Sequence, residues 1–212
     1  MSRLPARPFL YAIVDTQLLA GRSLGEAVSA LARGGAALIQ VRTKSGTDAG
    51  RVRQAREAGA AARAAGVPLI VNDRPDVARI VGADGVHLGQ QDLPPAPARR
   101  ILGPEAIVGV STHDVGQATM ASRESVDYVA IGPVFATRTK AQPDPVVGLE
   151  GVRLVRRLVA RPLVAIGGIT QENAATVVAA GADGVAVISA LLCEVDLEAT
   201  ARAFCQTIAL AR

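Results

Sequence analysis

Three hydrogen-bond donors and two carboxylates are the side chains of this sequence best suited to chemistry on a charged substrate. The stretch LIQVRTKSG spaces Gln40, Arg42 and Lys44 two residues apart. This alternation predicts a half-buried strand with one face toward the core and one toward water. Asp73 follows a short apolar run, and Asp92 closes the run HLGQQD. Oxygen ligands suit a hard ion such as Mg²⁺, and nearby cations suit phosphate. We interpret the set as one that holds a diphosphate and neutralises it as it leaves.

The elements that must position these residues alternate regularly. Short apolar runs, separated by longer runs of helical period, lie at 9–15, 37–42, 68–72, 85–89, 106–111, 127–132, 162–167 and 184–189. Strands that are apolar on both faces are typical of parallel sheets covered by helices. Eight such units in 212 residues predict a (β/α)₈ TIM barrel forming a single domain over 1–212. An open doubly wound sheet is the alternative, but the sequence has no GxGxxG turn.

Further polar residues end the predicted strands or follow them closely. They include Asn72, His87, Ser111, Thr137, Thr139, Lys140 and Ser189. Taken singly, Asn72 and Asp73 would be helix caps and His87 a hydrogen-bonded core residue. In a (β/α)₈ barrel, however, the carboxyl ends of the strands form one rim, where active sites lie. Their convergence on that rim favours a functional site.

A second anion site is predicted at the same rim. The GGI run at 167–169 offers backbone N–H groups without bulky side chains, and Ser189 and Ala190 would begin a short extra helix. One rim would therefore hold a diphosphate and a separate phosphate, which suggests the joining of two phosphorylated partners. The repeated GADGV turns place Asp84 and Asp183 at the opposite rim, so a structural role is expected for both.

Composition narrows the class of partner. The formal net charge is +4, which attracts anions. The sequence has no long Lys/Arg run, and only 2% of its residues are aromatic, so no nucleic-acid partner is expected. Cys193 and Cys205 form no CxxC pair. No signal peptide and no apolar stretch of membrane-spanning length stand out, so a cytoplasmic protein without a membrane partner is expected. The sequence is compatible with a homo-oligomer, but no motif indicates the number of subunits.

Eight motifs resemble the thiamine-phosphate synthase family. They are QVRTK at 40–44, ND at 72–73, HLGQQD at 87–92, GVSTHD at 109–114, GPVFATRTK at 132–140, VVGLEG at 146–151, AIGGIT at 165–170 and VAVISAL at 185–191. The motifs keep the family's order and spacing over nearly the whole chain. The resemblance implies a (β/α)₈ barrel that joins 4-amino-2-methyl-5-pyrimidinylmethyl diphosphate to 4-methyl-5-(2-phosphoethyl)thiazole. The products would be thiamine phosphate and pyrophosphate, with Mg²⁺ as cofactor.

The resemblance also implies a role for each motif residue. The pyrimidine diphosphate would be bound by Gln40, Arg42, Lys44, Asn72, Ser111 and Lys140. The thiazole phosphate would be bound by Thr137, Arg138, Thr139, Gly168, Ile188 and Ser189. Asp73 and Asp92 would ligate Mg²⁺, and His87 would have a supporting role. The catalytic residues would be Lys140, Arg42, Lys44 and Ser111, acting on the departing pyrophosphate.

Two other functions stay open at this point. The related thiazole tautomerases tend to lose the metal carboxylates and to carry a histidine after the sixth strand, where this chain has Pro133. A non-catalytic sensor of phosphorylated ligands would not need two carboxylates and several cations at one rim. The synthase is therefore favoured, and the polar segment 136–146 is expected to close over its substrates.

Overall fold

Eight parallel strands close into a barrel in the computed structural model, which describes residues 4–137 and 144–211. The strands are β1 Phe9–Asp15, β2 Leu38–Arg42, β3 Leu69–Asn72, β4 Gly85–Leu88, β5 Ile107–Thr112, β6 Tyr128–Ile131, β7 Leu163–Ile166 and β8 Gly184–Val187. Each strand pairs with the next along the chain, and β8 pairs with β1 to complete the closure. The predicted (β/α)₈ TIM barrel is therefore confirmed.

Helices follow the strands around the barrel. They are α1 Leu24–Arg33, α2 Asp48–Ala64, α3 Pro75–Val81, α4 Pro95–Leu102, α5 Val115–Ala121, α6 Gly148–Leu158, α7 Gln171–Ala179, α8 Ser189–Leu192 and α9 Leu197–Ala209. Side-chain caps fix several starts: Ser23 accepts from Glu26 N, Asp114 from Gln117 N and Asp196 from Ala199 N. The short extra helix predicted at Ser189 is present as α8. None of the helices in the described ranges is long and apolar enough to span a bilayer.

The strands separate two apolar layers. Ile39 and Val41 of β2 point outward and pack in the layer beneath the helices. The inward layer fills the barrel with Phe9, Tyr11, Ile13, Leu38, Ile70, Ile107, Tyr128, Ala130, Val164 and Ala186. Residues 38–41 are buried on both faces, so the half-buried strand expected from the alternation is wrong. In a closed barrel, the second face of a strand meets the packed interior rather than water.

Aspartates tie strands together at the amino-terminal rim. The Asp84 carboxylate, just before β4, accepts from Leu69 N at 2.8 Å, and Asp183, just before β8, accepts from Leu163 N at 2.8 Å. Asp127 repeats the arrangement before β6, where it accepts from Val108 N at 2.8 Å. The structural role expected for Asp84 and Asp183 agrees with these contacts, and Asp127 adds a third case that the repeated GADGV motif did not show.

Candidate active site

A cavity of about 830 Å³ opens at the carboxyl ends of the strands. Every predicted site residue in the described ranges lines it: Gln40, Arg42, Lys44, Asn72, Asp73, His87, Asp92, Ser111, Thr137, Gly168, Ile188 and Ser189. Its volume is ample for a small-molecule site. The predicted residues Arg138, Thr139 and Lys140, and with them much of segment 136–146, lie outside the described residues.

The three donors of β2 and its following loop lie at successive levels, from the bottom of this cavity toward its opening. Gln40 is only 2% exposed and donates from Nε2 to Tyr11 Oη at 2.7 Å. Arg42, at the strand end, forms an ion pair with the buried carboxylate of Asp15 at the end of β1. Lys44 is half-exposed, with Nζ 2.5 Å from Asp73 Oδ2. The acidic partners absent from the local sequence are thus supplied by β1 and by the end of β3.

Asp73 and Asp92, the predicted metal ligands, lie side by side. Asp73 has a left-handed backbone (φ 64°), which is uncommon outside glycine, and its N–H donates to His87 O at 2.8 Å. Asp92 Oδ2 accepts from Gly89 N at 2.7 Å. Burial, and next the adjoining Asp73 carboxyl group, raise the pKa of Asp92 above its ordinary value. Two carboxyl groups forced together in this way favour a shared proton or a shared cation.

His87 is held from both ring nitrogens. Nδ1 lies 2.8 Å from Tyr128 Oη, and Nε2 lies 2.8 Å from Ser111 Oγ. The ring also stacks on Tyr128 at a centroid distance of 5.6 Å. Burial lowers the pKa of His87 to about 4, so the ring is neutral near pH 7. A neutral ring with both nitrogens engaged supports a positioning role and not that of a cation or a metal ligand.

Gly167 and Gly168 form a turn after β7 on the opposite side of the cavity. Both have positive φ, at 100° and 64°. A Cβ on Gly168 would lie 2.5 Å from Ala136 O, so only glycine allows this approach of two backbone segments. Asn173 Nδ2 donates to Gly168 O at 3.0 Å, which ties the turn to α7. Ile188 and Ser189 line the neighbouring wall at the start of α8.

A further polar group, to which the sequence assigns no role, lines the cavity between β5 and β6. His113 Nδ1 donates to Gly132 O at 2.7 Å, and Asp144 Oδ2 lies 3.5 Å from the same nitrogen. Gln117 Oε1 accepts from the backbone N–H of His113 at 2.9 Å. These contacts fix the ring of His113 at the wall of the cavity, which Thr137 also lines.

The sequence interpretation also missed Asp15, Tyr11 and Tyr128. Asp15 had the same signal as the other candidates, since it is the polar residue that ends the first strand. Tyr11 and Tyr128 are the two tyrosines of the chain, and each is placed within an apolar strand run. Both are fully buried beneath the cavity, where their hydroxyl groups contact each other at 2.9 Å.

The site therefore combines a carboxylate pair, cations beside it and a glycine turn on the far wall. The first two features suit a metal-bound diphosphate, and the third suits a second anion, because a glycine turn has no side chains to cover its backbone N–H groups. Among the described residues, no cluster of three or more His, Cys, Asp or Glu side chains is arranged to hold a metal. A hard ion bound by the Asp73–Asp92 pair would complete its shell with water and substrate oxygens.

Comparisons with known proteins agree with this chemistry. The family model described as thiamine monophosphate synthase matches residues 10–191. A thiamine-phosphate synthase of Chloroflexus aurantiacus is 48% identical over 193 residues, covering 91% of this chain and 89% of the relative. One from Koribacter versatilis is 47% identical over 205 residues, covering 95% and 96%. The solved thiamine phosphate pyrophosphorylase of Pyrococcus furiosus superposes with a TM-score of 0.87 at 34% identity, covering 96% of both chains.

Proposed function

Since the chain belongs to the thiamine-phosphate synthase family and is a transferase of that family, we propose that its cavity brings two phosphorylated substrates together with Mg²⁺. The substrates are 4-amino-2-methyl-5-pyrimidinylmethyl diphosphate and 4-methyl-5-(2-phosphoethyl)thiazole. The observation that carries this proposal is the placement of Asp73 and Asp92 side by side, with Lys44 on Asp73 and Arg42 lining the same cavity.

The carboxylate pair fits Mg²⁺. Both groups are oxygen donors, and the pKa of Asp92 is raised partly by Asp73, a repulsion that a divalent cation would relieve. Lys44 brings a single positive charge to the two acids: it contacts Asp73 Oδ2 and also acts on Asp92. Asp73 and Asp92 would hold the ion. When bound, Mg²⁺ supplies positive charge to the diphosphate oxygens.

The pyrimidine diphosphate occupies the wall built by β2, β3 and β5. Arg42 has a planar fork suited to phosphate oxygens, and the Asp15 carboxylate keeps that fork oriented. Gln40, Asn72 and Ser111, on β2, β3 and β5, line the cavity and provide uncharged polar groups for the ring and the bridging oxygen. The thiazole phosphate lies opposite, against Gly168, Ile188, Ser189 and Thr137.

The reaction needs leaving-group stabilisation more than acid–base chemistry. The bond between the exocyclic methylene and the diphosphate oxygen breaks, both electrons leave with pyrophosphate, and the 4-amino group delocalises the positive charge that remains. The thiazole nitrogen then donates its lone pair to the methylene carbon and forms the new C–N bond. Arg42 and Lys44 stabilise the developing charge on pyrophosphate, and the cavity walls align the two rings. Lys140 is assigned the same work from its motif position, with Arg138 and Thr139 beside the thiazole phosphate.

Pyrophosphate release tests this function directly. The purified chain is given each substrate alone and both together, with Mg²⁺ or with a chelator. Release only with both substrates and the metal supports the synthase. Thiazole isomerisation without pyrophosphate release would identify a tautomerase instead. Ligand binding without either reaction would identify a sensor.

A further inference from the structure

A chain of hydrogen bonds crosses the barrel interior beneath the cavity. Gln40 Nε2 lies 2.7 Å from Tyr11 Oη, which lies 2.9 Å from Tyr128 Oη. Tyr128 Oη lies 2.8 Å from His87 Nδ1, and His87 Nε2 lies 2.8 Å from Ser111 Oγ. Five side chains from five strands are thereby linked. Only the middle members, Tyr11 and Tyr128, do not line the cavity.

The side chains of this hydrogen-bonded series are closely packed by their surroundings. Tyr11 and Tyr128 are about 1% and 0% exposed, and their rings meet edge to face at 5.9 Å. Gly109 of β5 makes room for Tyr128, because a Cβ there would lie 2.0 Å from Tyr128 Cζ. No buried side-chain nitrogen or oxygen in the described residues lacks a partner. Every buried polar side-chain atom of this hydrogen-bonded series thus has a partner, and the series is tightly packed.

Each hydroxyl group has one hydrogen to donate and two lone pairs that accept, so the direction of one bond fixes the next wherever a hydrogen has a single acceptor within this series of contacts. Burial raises the pKa of both tyrosines, which therefore keep their hydrogens. Tyr11 Oη accepts from Gln40, and among the described contacts Tyr128 Oη is the acceptor within reach of the Tyr11 hydrogen, so Tyr11 donates to Tyr128. The hydrogen of Tyr128 is then donated to His87 Nδ1. A neutral ring that accepts at Nδ1 carries its hydrogen on Nε2 and donates to Ser111 Oγ.

We propose that Gln40, Tyr11 and Tyr128 are positioning residues that hold His87 in its Nε2–H tautomer and so turn the Ser111 hydroxyl hydrogen into the cavity. Ser111 becomes a fixed donor toward an acceptor atom of the bound pyrimidine diphosphate. Negative charge that develops on that acceptor strengthens the bond. The identity of the acceptor rests on the proposed function, whereas the tautomer of His87 does not.

Nitrogen NMR of the free protein tests the tautomer. The chain has two histidines, so ring labelling with ¹⁵N gives two spin systems, and His113→Gln assigns them. At pH 8 without substrates, we expect His87 to show a protonated Nε2 and an unprotonated Nδ1. A dominant Nδ1–H form would overturn the proposal.

Two kinds of variant test the cause. Gln40→Glu replaces the donor by an isosteric carboxylate that accepts from Tyr11, so the whole chain reverses and His87 shifts to the Nδ1–H form. An unchanged tautomer would show that Gln40 does not set the direction. Tyr128→Phe removes the donor to Nδ1, and the preference for one tautomer should be lost. Tyr11→Phe is the matched control, because it leaves the Tyr128 hydroxyl free to donate to His87.

Kinetics connect the tautomer to the reaction. Tyr128→Phe should lower kcat about tenfold, roughly the contribution of one hydrogen bond, with KM for the thiazole phosphate unchanged. Tyr11→Phe should affect kcat less. If Tyr128→Phe had a lower melting temperature but kept the wild-type tautomer of His87 and the wild-type kcat, a positioning role for Tyr128 would be contradicted. If the wild-type protein showed the expected tautomer of His87 but released no pyrophosphate, only the proposed function would be refuted.

Discussion

Lys44 Nζ lies 2.5 Å from Asp73 Oδ2, so the cation that follows β2 rests on a carboxylate that follows β3. Asp73 in turn adjoins Asp92 and adopts a left-handed backbone. A strained residue that contacts both a cation and a second acid is typical of a functional site. The same contact places Lys44 within reach of any phosphate that a metal on Asp73 would bind.

Replacing Asp73 by asparagine should remove most of the Mg²⁺-dependent activity. Asp73→Asn keeps the shape of the side chain but loses the charge, and we expect kcat to fall by about 10²–10³-fold. Pyrophosphate release at saturating substrates measures the effect. Asp76→Asn is the control, because Asp76 is exposed on α3 and pairs with Arg74. Wild-type turnover in Asp73→Asn would refute the metal-ligand assignment.

Asp15 should control the affinity for the pyrimidine diphosphate through Arg42. Asp15→Asn removes the charge that orients the Arg42 fork, and we expect KM for this substrate to rise about tenfold while KM for the thiazole phosphate stays the same. Steady-state kinetics with each substrate varied separately makes the distinction. Asp48→Asn removes an exposed partner of Arg51 and Arg74 and should leave both values unchanged. Equal changes in both KM values would indicate a general loss of structure.

Gly168 should be essential to the thiazole side of the cavity. In Gly168→Ala, the new methyl group meets Ala136 O at 2.5 Å, and φ of 64° is unfavourable for alanine. The segment that leads to Thr137 must then move, so we expect at least about a tenfold rise in KM for the thiazole phosphate. Gly66→Ala is a suitable comparison, since Gly66 has a similar φ of 68° with nothing near its Cβ position. It should show backbone strain, seen as a lower melting temperature, without the KM effect.

His87 should make the folded state less stable as the pH falls. Its pKa is about 4 in the folded protein and about 6.5 in an unfolded chain, so the unfolded state gains a proton first. The stability that this group contributes is present above pH 6.5 and is lost toward pH 4. Between pH 7 and pH 5, the difference is about 2 kcal/mol. Urea unfolding at both pH values should show this drop in wild-type protein and a smaller one in His87→Gln. Identical drops would show that burial of His87 does not determine the effect.

Much of this architecture could be predicted from local patterns. The run FLYAIVD predicts β1 over 9–15, as observed, because a short apolar segment between loop residues is a local signal. The two-residue spacing of Gln40 and Arg42 predicts that both side chains leave β2 on the same face, and both line the cavity. Such signals depend only on neighbours along the chain, and the barrel then collects the strand ends without further information.

The partners of these residues could not be predicted in the same way. Tyr11 and Tyr128 are 117 residues apart, and their contact depends on strands that face each other across a closed barrel. Gln40 looks solvent-facing from its spacing, yet closure buries it against Tyr11. Asp73 combines a left-handed backbone with a hydrogen bond to His87 of β4, and no local pattern indicates either feature.

The aspartates at the amino-terminal rim have a practical consequence. Asp84, Asp127 and Asp183 connect successive strand pairs at the end of the barrel away from the cavity. These three contacts therefore add to the stability of the barrel at the end opposite the cavity. Residues of the cavity could therefore be redesigned for new substrates without touching these aspartates. Conversely, additional hydrogen bonds at the amino-terminal rim could raise thermal stability without altering turnover.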